Sequence, residues 1–410
     1  MKQKLLFIIN TMGRAGAETA FIELLKKLSS TDRYELYMKA IIPCGELFDR
    51  VPEKVHILNK HVSNHSVLSK SGHIRIAAVV ASAFFYHFTG FKLLGNMIKN
   101  IREQKRSGKK LQYDKMLWRL LADGRPPDKE TYDLAVSYIE GASAYYLADK
   151  VRARHKAAFI HIDYEKAGYT MDMDQDCYHA MEKIFVVSVE VGRKFCAVYP
   201  QYKDKIRLFR NLLDKDTIFK KAEEGVGFTD EFDGIRLLTI GRLHYQKGYD
   251  IAIEALARLR EDGYNVRWYV IGEGMERARL EGLIKEYNVR DFFQLLGVRE
   301  NPYPYLKQAD IYVHATRFEG KSIAIEEAQI LGKVIVASDC TGNTEQIIPE
   351  YDGVLLTLTA NNLAHELERV IDHPKLQKEL ALHVLEKKLV FPEDLEGMLG
   401  MIEEGDSSDL

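Results

Sequence analysis

The chain reads as an α/β protein made of two Rossmann-like domains facing across a cleft, and three observations predict this. Short β-branched and aromatic runs alternate with stretches of helical spacing along nearly all of the 410 residues, the pattern of parallel sheets with right-handed crossovers. The alternation is interrupted once, where 223–233 turns Gly-rich and acidic, and then resumes. In both halves an opening strand leads into a glycine-bearing turn and then a helix, the first step of a Rossmann-like unit. Domains are therefore expected over 1–210 and 211–385, with a C-terminal helix and acidic tail over 386–410 that returns to the first domain.

Composition places the chain among soluble globular proteins, with 46% hydrophobic and 29% charged residues. No apolar run reaches the 18 residues or so that a spanning helix needs. The run Leu5-Leu6-Phe7-Ile8-Ile9 is too short for a signal-peptide core. Cys44, Cys177, Cys196 and Cys340 are scattered with no metal-site or redox spacing, so a reduced, cytoplasmic setting is expected. The net charge of −2 hides an uneven distribution: 60–125 holds thirteen Lys and Arg against three Asp and Glu, a net of +10, which leaves −12 for the rest.

In the first half, 4–10 (KLLFIIN) is a buried strand, the turn after it carries Gly13 and Gly16, and 19–28 has the apolar spacing of a helix. The full dinucleotide glycine fingerprint is missing, which argues against NAD or FAD. Gly13 and Gly16 are open to two readings, a plain tight turn or a loop that lets a ligand approach. Strands follow at 35–42 and 55–58. The basic segment 60–125 comes next, with an apolar, aromatic part at 73–98 that includes Phe84, Phe85, Phe88 and Phe91, and a basic run at 99–110 (KNIREQKRSGKK). Two readings stand side by side: a solvated helical face packed on the domain, or a surface for anionic lipid or an anionic acceptor. No nucleic-acid motif accompanies the charge. Further strands are expected at 133–139, 156–161, 183–188 and 205–209. His161 falls at the carboxyl end of one of them, where open α/β sheets bind ligands.

In the second half, the strand 235–240 leads to Gly241-Arg242 and Lys247-Gly248, then a helix from 250. The strand 266–271 breaks into Gly272-Glu273-Gly274, and 292–296 ends at Gly297. The strand 310–314 (DIYVH) feeds a loop bearing Glu319, Gly320 and Lys321. Ser322 is placed to cap the next helix and Gly332 to end it in the left-handed conformation. That helix carries Glu327. From 374 to 402 the pattern is helical with Pro392 in its path.

These pieces allow a specific chemistry. Arg242 and Lys247 after one strand form an anion clamp, and a helix N-terminus nearby favours a diphosphate. The cations would stabilise charge developing on a departing diphosphate, and the loop carboxylate Glu319 would hold sugar hydroxyls. A cleft between two such domains is a preferred ligand site. No metal-ligand cluster is visible, so no metal ion or other cofactor is expected.

At Gly241-Arg242 with Lys247-Gly248, at Gly272-Glu273-Gly274, and at Glu319-Gly320-Lys321-Ser322 with Glu327-Ala328, the chain resembles the retaining glycosyltransferases of family four, which have the twin-Rossmann fold called GT-B. In the first half, Gly13 with Gly16-Ala17-Glu18, Ser137-Tyr138-Ile139-Glu140-Gly141, His161-Ile162-Asp163 and Arg210-Asn211 look like the members that build bacterial surface polysaccharides. The resemblance covers nearly the whole chain. It implies acceptor binding by the first domain and binding of a nucleotide-diphosphate sugar, UDP in preference to GDP, by the second. By the resemblance, Glu319, Arg242, Lys247 and His161 carry the reaction: the two cations on the diphosphate, Glu319 and His161 at the donor sugar. Gly13, Gly16, Gly241, Glu273, Val298, Lys321, Ser322, Ile323 and Glu327 are implied to bind substrate, Glu327 at the nucleotide ribose. The implied mechanism is a same-face substitution in which the leaving phosphate takes the acceptor proton. The implied acceptor is a glycan or lipid-linked saccharide, met at the inner face of the membrane.

The sequence departs from the family pattern twice. Its first loop reads Gly-Arg-Ala-Gly in place of adjacent glycines, and Lys321-Ser322 stands where Phe-Gly is commoner. Two other readings share the architecture: a catalytically silent sugar-nucleotide-binding subunit, which would have lost some of Arg242, Lys247 and Glu319, and a sugar-nucleotide epimerase.

Overall fold

The computed structural model describes residues 2–66, 69–85, 95, 98, 101–102, 113–165, 167, 169, 171–389 and 392–406. Its contacts divide the chain into two units, Met1–Leu212 with Phe391–Leu410, and Leu213–Val390.

The first unit is built on a seven-stranded parallel sheet. In chain order the strands are β1 (Gln3–Ile9), β2 (Tyr34–Ala40), β3 (Val55–Ile57), β4 (Thr131–Ser137), β5 (Arg152–Ile160), β6 (Lys183–Val186) and β7 (Ile206–Leu208). In space they run β3-β2-β1-β4-β5-β6-β7, so the winding direction reverses between β1 and β4, where ligands bind in such sheets. Both faces are buried, as parallel sheets require. Leu6 and Ile8 of β1 join the core on one face, with Tyr145, Ile160 and Val191. Leu5, Phe7 and Ile9 join the core on the other, with Phe21, Leu25 and Phe159. This is the two-residue alternation of a strand read directly off KLLFII.

The final helix, Pro392–Asp406, lies in this first unit. Met398, Met401 and Ile402 enter the core that holds Phe7 and Phe159. Asp394 accepts the Arg210 backbone N–H at 2.7 Å and pairs with its guanidinium at 3.1 Å. The single helical stretch expected over 374–402 is two helices, Pro374–Leu385 and Pro392–Asp406. Each begins at a proline, which lacks the N–H that a first-turn residue would leave unbonded.

The second unit holds a six-stranded parallel sheet of β8 (Ile235–Ile240), β9 (Val266–Ile271), β10 (Phe293–Gly297), β11 (Ile311–His314), β12 (Val334–Ser338) and β13 (Val354–Leu356). Its spatial order is β10-β9-β8-β11-β12-β13, and the reversal falls between β8 and β11. Trp268 and Val313 face the core formed with the helices Tyr249–Glu261 and Ala360–Asp372. Tyr269, Tyr312 and Ile335 face the other side, with Ile325 and Ala328.

Several boundaries differ from the sequence reading. The first helix runs Gly16–Ser29, so Gly16 is its first residue and not part of the turn. Ala15 is extended there, and small residues let the helix begin early. β4 ends at Ser137, which leaves Tyr138 to Gly141 beyond the strand, and β5 ends one residue before His161. Within the basic segment the described helices are Lys70–Phe85 and Tyr113–Asp123. Phe88, Phe91 and most of the run 99–110 lie outside the described residues. Two of the segment's cations serve the interior: Arg119 pairs with Asp123 and Asp149, and Arg125 donates to the Ile41 carbonyl. Among the described residues, no helix is long and apolar enough to cross a membrane.

Candidate functional site

In the second unit, the loops leaving β8 and β11 meet at the point of strand reversal. After β8 comes Gly241, then exposed Arg242, then fully buried Leu243. His244 caps a short 3₁₀ turn, Tyr245–Lys247, by accepting from the Gln246 N–H at 3.2 Å. The loop leaving β9 zips onto this one: the Leu243 N–H donates to the Glu273 carbonyl at 2.9 Å. A Cβ on Gly274 would sit 2.1 Å from the Leu243 carbonyl oxygen, so only glycine permits this approach. The Gly-Glu-Gly motif thus shapes the loop of Arg242. The Glu273 carboxylate is itself bonded to Arg277, at 2.6 and 2.9 Å.

Glu319 is the centre of the polar cluster. Lys247 pairs directly with its Oε2, and both side chains are 15% exposed. His314 Nε2 lies 3.4 Å from the same oxygen, and Gln246 donates to Oε1 at 3.4 Å. Burial alone pushes the Glu319 carboxyl up, but the Lys247 ammonium and the His314 ring outweigh it and hold it well below the usual carboxylate range. His314 is pushed down, first by burial and then by Lys247, so its ring is neutral. Tyr312 Oη lies 3.2 Å from its Nδ1. A hydroxyl donating to Nδ1 leaves the Nε2–H to donate to Glu319.

The loop that carries Glu319 is held at both ends. Gln246 Nε2 donates to the Phe318 carbonyl at 2.8 Å, and Thr316 Oγ1 donates to the Gln246 carbonyl at 2.9 Å. At the helix end, buried Gln346 accepts the Ser322 N–H at 2.7 Å and donates to the Ser322 carbonyl at 2.8 Å. A Cβ on Gly342 would meet the Gly320 carbonyl oxygen at 2.0 Å, so the following segment also presses on this loop. Ser322 caps the helix Ile323–Ile330 by accepting from Ile325 N–H, and Gly332 takes the left-handed conformation past its end. The N–H groups of Ile323 and Ala324 have no partner within the helix, which leaves the positive end of its dipole available to an anion.

The other expected positions are arranged as follows. Lys321 turns inward and pairs with Glu326 at 2.5 Å, both nearly buried, so its charge is met within the helix's first turn. Ile323 is 7% exposed and Glu327 8%, and Glu327 accepts from Tyr303 Oη at 2.8 Å. Val298, just past β10, is 40% exposed. Arg242 makes no ion pair among the described residues.

The first unit holds Gly13, Gly16 and His161. Past β1, Asn10 ties two strand ends together: its amide donates to the Glu140 carbonyl and accepts the Ser143 N–H, both at 2.9 Å. The Glu140 carboxylate accepts the His161 backbone N–H at 3.0 Å. The His161 ring packs on Tyr138 and Phe159, with centroids 5.1 and 5.9 Å away. Burial pushes His161 down to about 4, with the Tyr138 backbone acting the other way, so the imidazole is neutral at pH 7. Its Nε2 has no hydrogen-bond partner among the described residues. A Cβ on Gly13 would meet nothing within 4 Å. The helix after Gly13 has no side-chain cap, because Ala15 stands at the capping position.

Sequence reasoning missed Gln246, His314, Gln346 and Asn10. His314 and Asn10 each carried a signal, a polar residue closing an apolar run, DIYVH and KLLFIIN. Gln246 and Gln346 act through backbone groups distant in sequence and left no such mark.

Residues 230–382 match the family model described as glycosyl transferases group 1. Over 176 residues the chain is 29% identical to the Campylobacter jejuni N-acetylgalactosamine-N,N'-diacetylbacillosaminyl-diphospho-undecaprenol 4-alpha-N-acetylgalactosaminyltransferase, covering 42% of this chain and 46% of that protein. It is 25% identical over 147 residues to the amylovoran biosynthesis glycosyltransferase AmsD of Erwinia amylovora, covering 36% and 41%. The chain thus spans under half the length of these relatives. Its fold matches HepE of Anabaena, solved in complex with UDP, with TM-score 0.66, 16% identity, and 98% and 100% of the two chains covered. The twin parallel-sheet architecture is that of the GT-B fold.

Proposed function

We propose that this chain moves a glycosyl group from a UDP-linked donor to a lipid-linked saccharide in surface polysaccharide assembly, with retention at the anomeric carbon, a reading supported by the match of residues 230–382 to the family model described as glycosyl transferases group 1. The choice of UDP is supported by the UDP-bound structure that shares the fold. The choice of acceptor is supported by relatives named for a diphospho-undecaprenol acceptor and for amylovoran biosynthesis.

The observation that carries the reading is Glu319 held ionised by Lys247 and His314 just before the N-terminus of the helix Ile323–Ile330. A carboxylate held so far below its ordinary range is a poor proton acceptor and a good hydrogen-bond acceptor. It suits holding sugar hydroxyls and does not suit general base work. In this reading the diphosphate rests at the helix N-terminus with Arg242, and Lys247 is shared between Glu319 and the leaving group. The bond from the anomeric carbon to the diphosphate oxygen breaks, and its electron pair stays on the diphosphate. The acceptor oxygen bonds to the same face, and its proton passes to the departing phosphate. Arg242 and Lys247 supply the positive charge, so the step needs no metal. In the first unit, neutral His161 has an unpartnered Nε2 suited to bonding a sugar hydroxyl.

A thermal-shift screen of UDP, GDP and their sugars tests the donor. A nucleotide at about 100 times its Kd stabilises by about 2.7 kcal/mol, so UDP is expected to raise the melting temperature and GDP to leave it near the apo value. The reverse ranking would overturn the choice of base. Incubation with donor alone then separates the activities: a transferase releases UDP slowly, an epimerase changes the sugar, and a silent binder leaves the donor intact.

A further inference from the structure

We infer that the open edge of β10 pairs, strand to strand, with the same edge of a second copy of the chain. The inference is independent of the reaction proposed above. Among the described residues, β10 is the outermost strand of the second unit's sheet and pairs only with β9. Its bonds to β9 fix which way each residue faces. The Trp268 N–H donates to the Phe292 carbonyl at 2.7 Å, and Phe293, Gln294 and Leu295 stand beside Trp268, Tyr269 and Val270. In a parallel ladder, alternate residues turn both N–H and C=O to the neighbouring strand. Phe292 and Gln294 therefore face β9, while Phe293 and Leu295 face the edge. The Phe293 N–H is taken by the Val289 carbonyl at 2.8 Å. The Leu295 N–H and C=O point outward, at the middle of the five-residue strand. The ladder to β9 is regular through Leu295 and shifts register only after it.

Natural sheet edges are usually blunted by charge, proline or a covering element. This one reads FQLLG, with neither charge nor proline. Two grooves border it, one of about 600 Å³ that includes Ile284, Asp291 and Leu295, the other of about 440 Å³ that includes Asp291, Leu296 and Arg299. The charges at the strand's two ends choose the partner. Antiparallel pairing centred on Leu295 sets each residue before it beside the residue equally far past it in the other copy. Arg290 then meets Glu300, and Asp291 meets Arg299. Both pairs form twice, as a two-fold interface requires, and Leu295 of each copy donates to and accepts from the other. All four charged residues are exposed. Among the described residues Arg299 reaches only uncharged partners, Tyr305 Oη at 3.2 Å and the Val298 carbonyl at 3.3 Å. A parallel pairing would set Arg290 on Arg290 and Asp291 on Asp291, which like charges oppose. An unrelated strand gives no reason for charges that mirror one another about Leu295.

The test is light scattering of the full chain over a concentration series reaching about 100 μM, well above a micromolar Kd. The wild type should be dimeric at the top of the series, and hydrogen exchange across 293–297 should slow as the dimer fills. Asp291→Arg alone and Arg299→Asp alone each bring like charges together twice, so each should weaken association roughly tenfold or more. Mixed in equal amounts, the two variants should associate with each other, because every pair is again opposite in charge. A chain carrying both changes should dimerise like the wild type. All variants should keep the wild-type melting temperature as monomers, since both side chains are exposed. A wild type that stays monomeric to the top of the series overturns the inference. So do single variants that dimerise as well as the wild type, a mixture that stays monomeric, or exchange across 293–297 that ignores concentration. Stabilisation by UDP is a separate readout, so loss of the dimer leaves the transferase reading standing, and the reverse.

Discussion

At the scale of the residue, Glu319 and Lys247 do two things that substitution can separate. They form a largely buried ion pair, and in the proposed reaction each also faces the donor. Glu319→Gln keeps the volume but leaves the Lys247 charge without its partner, and breaking such a pair costs roughly 3 kcal/mol. The single variant is therefore expected to melt several degrees lower and to lose most turnover. Lys247→Met combined with Glu319→Gln removes both charges, so chemical unfolding should show much of the stability restored while turnover stays lost. Recovery of turnover along with stability would mean that the pair is only structural. Arg242 differs, being exposed and outside any ion pair among the described residues. Arg242→Ala should leave stability within about 0.5 kcal/mol and lower kcat by roughly 3 kcal/mol in barrier. Saturation kinetics with only KM raised would count against its role on the leaving group.

At the scale of the element, the loop between β11 and the helix Ile323–Ile330 is only as well placed as its supports. Gly342→Ala would drive a methyl group into the Gly320 carbonyl, now 2.0 Å from the Cβ position. Overpacking of this kind costs about 1–3 kcal/mol, and it would also move Glu319. Turnover should fall more than the stability loss accounts for, with binding of free UDP less affected. In the first unit, the segment after β5 is fixed by Asp174, which is fully buried and accepts from Tyr145, Tyr164 and Tyr199 at 2.6, 2.7 and 2.6 Å. Burial pushes its carboxyl up to about 6, and the three hydroxyls pull the other way. A raised folded value means the native state binds the proton more tightly than the unfolded chain, whose value is about 3.9. The resulting stabilisation is complete below about pH 4 and is lost as pH rises through about 6. Asp174→Asn removes this titration, so the melting temperature of the wild type minus that of the variant should be larger at pH 5 than at pH 8. An equal difference at both pH values would show that Asp174 does not titrate there.

At the scale of the whole molecule, the legible part was whatever repeats along the chain. The alternation of apolar runs and helical spacing gave two parallel sheets, because each strand buried on both faces leaves a continuous apolar run such as LLFII or IYVH. The site loops were legible because they follow strand ends. Where two parts of the chain must meet, the reading fell short. The bond of Gln346 to Ser322 crosses 24 residues and that of Gln246 to Phe318 crosses 72, and no local pattern announces either. Lys321 shows the same limit from the other side: it reads as a cation for substrate, yet Glu326 one turn on takes its charge. The basic segment was legible as charge but not as structure. Its count included Arg119 and Arg125, which the interior uses, and Phe84 and Phe85 were open to a core role until their exposure placed them in solvent.

Transfer itself is the most direct measurement. Purified chain is incubated with radiolabelled UDP-sugars and a polyprenyl-diphosphate saccharide, the lipid phase is extracted, and label is counted for the wild type and for Lys247→Met with Glu319→Gln. The account predicts label in the lipid phase with at least one UDP-sugar for the wild type, with the anomeric configuration of the donor retained in the product, and background label for the double variant. Inversion in the product, or equal transfer by the double variant, would contradict it.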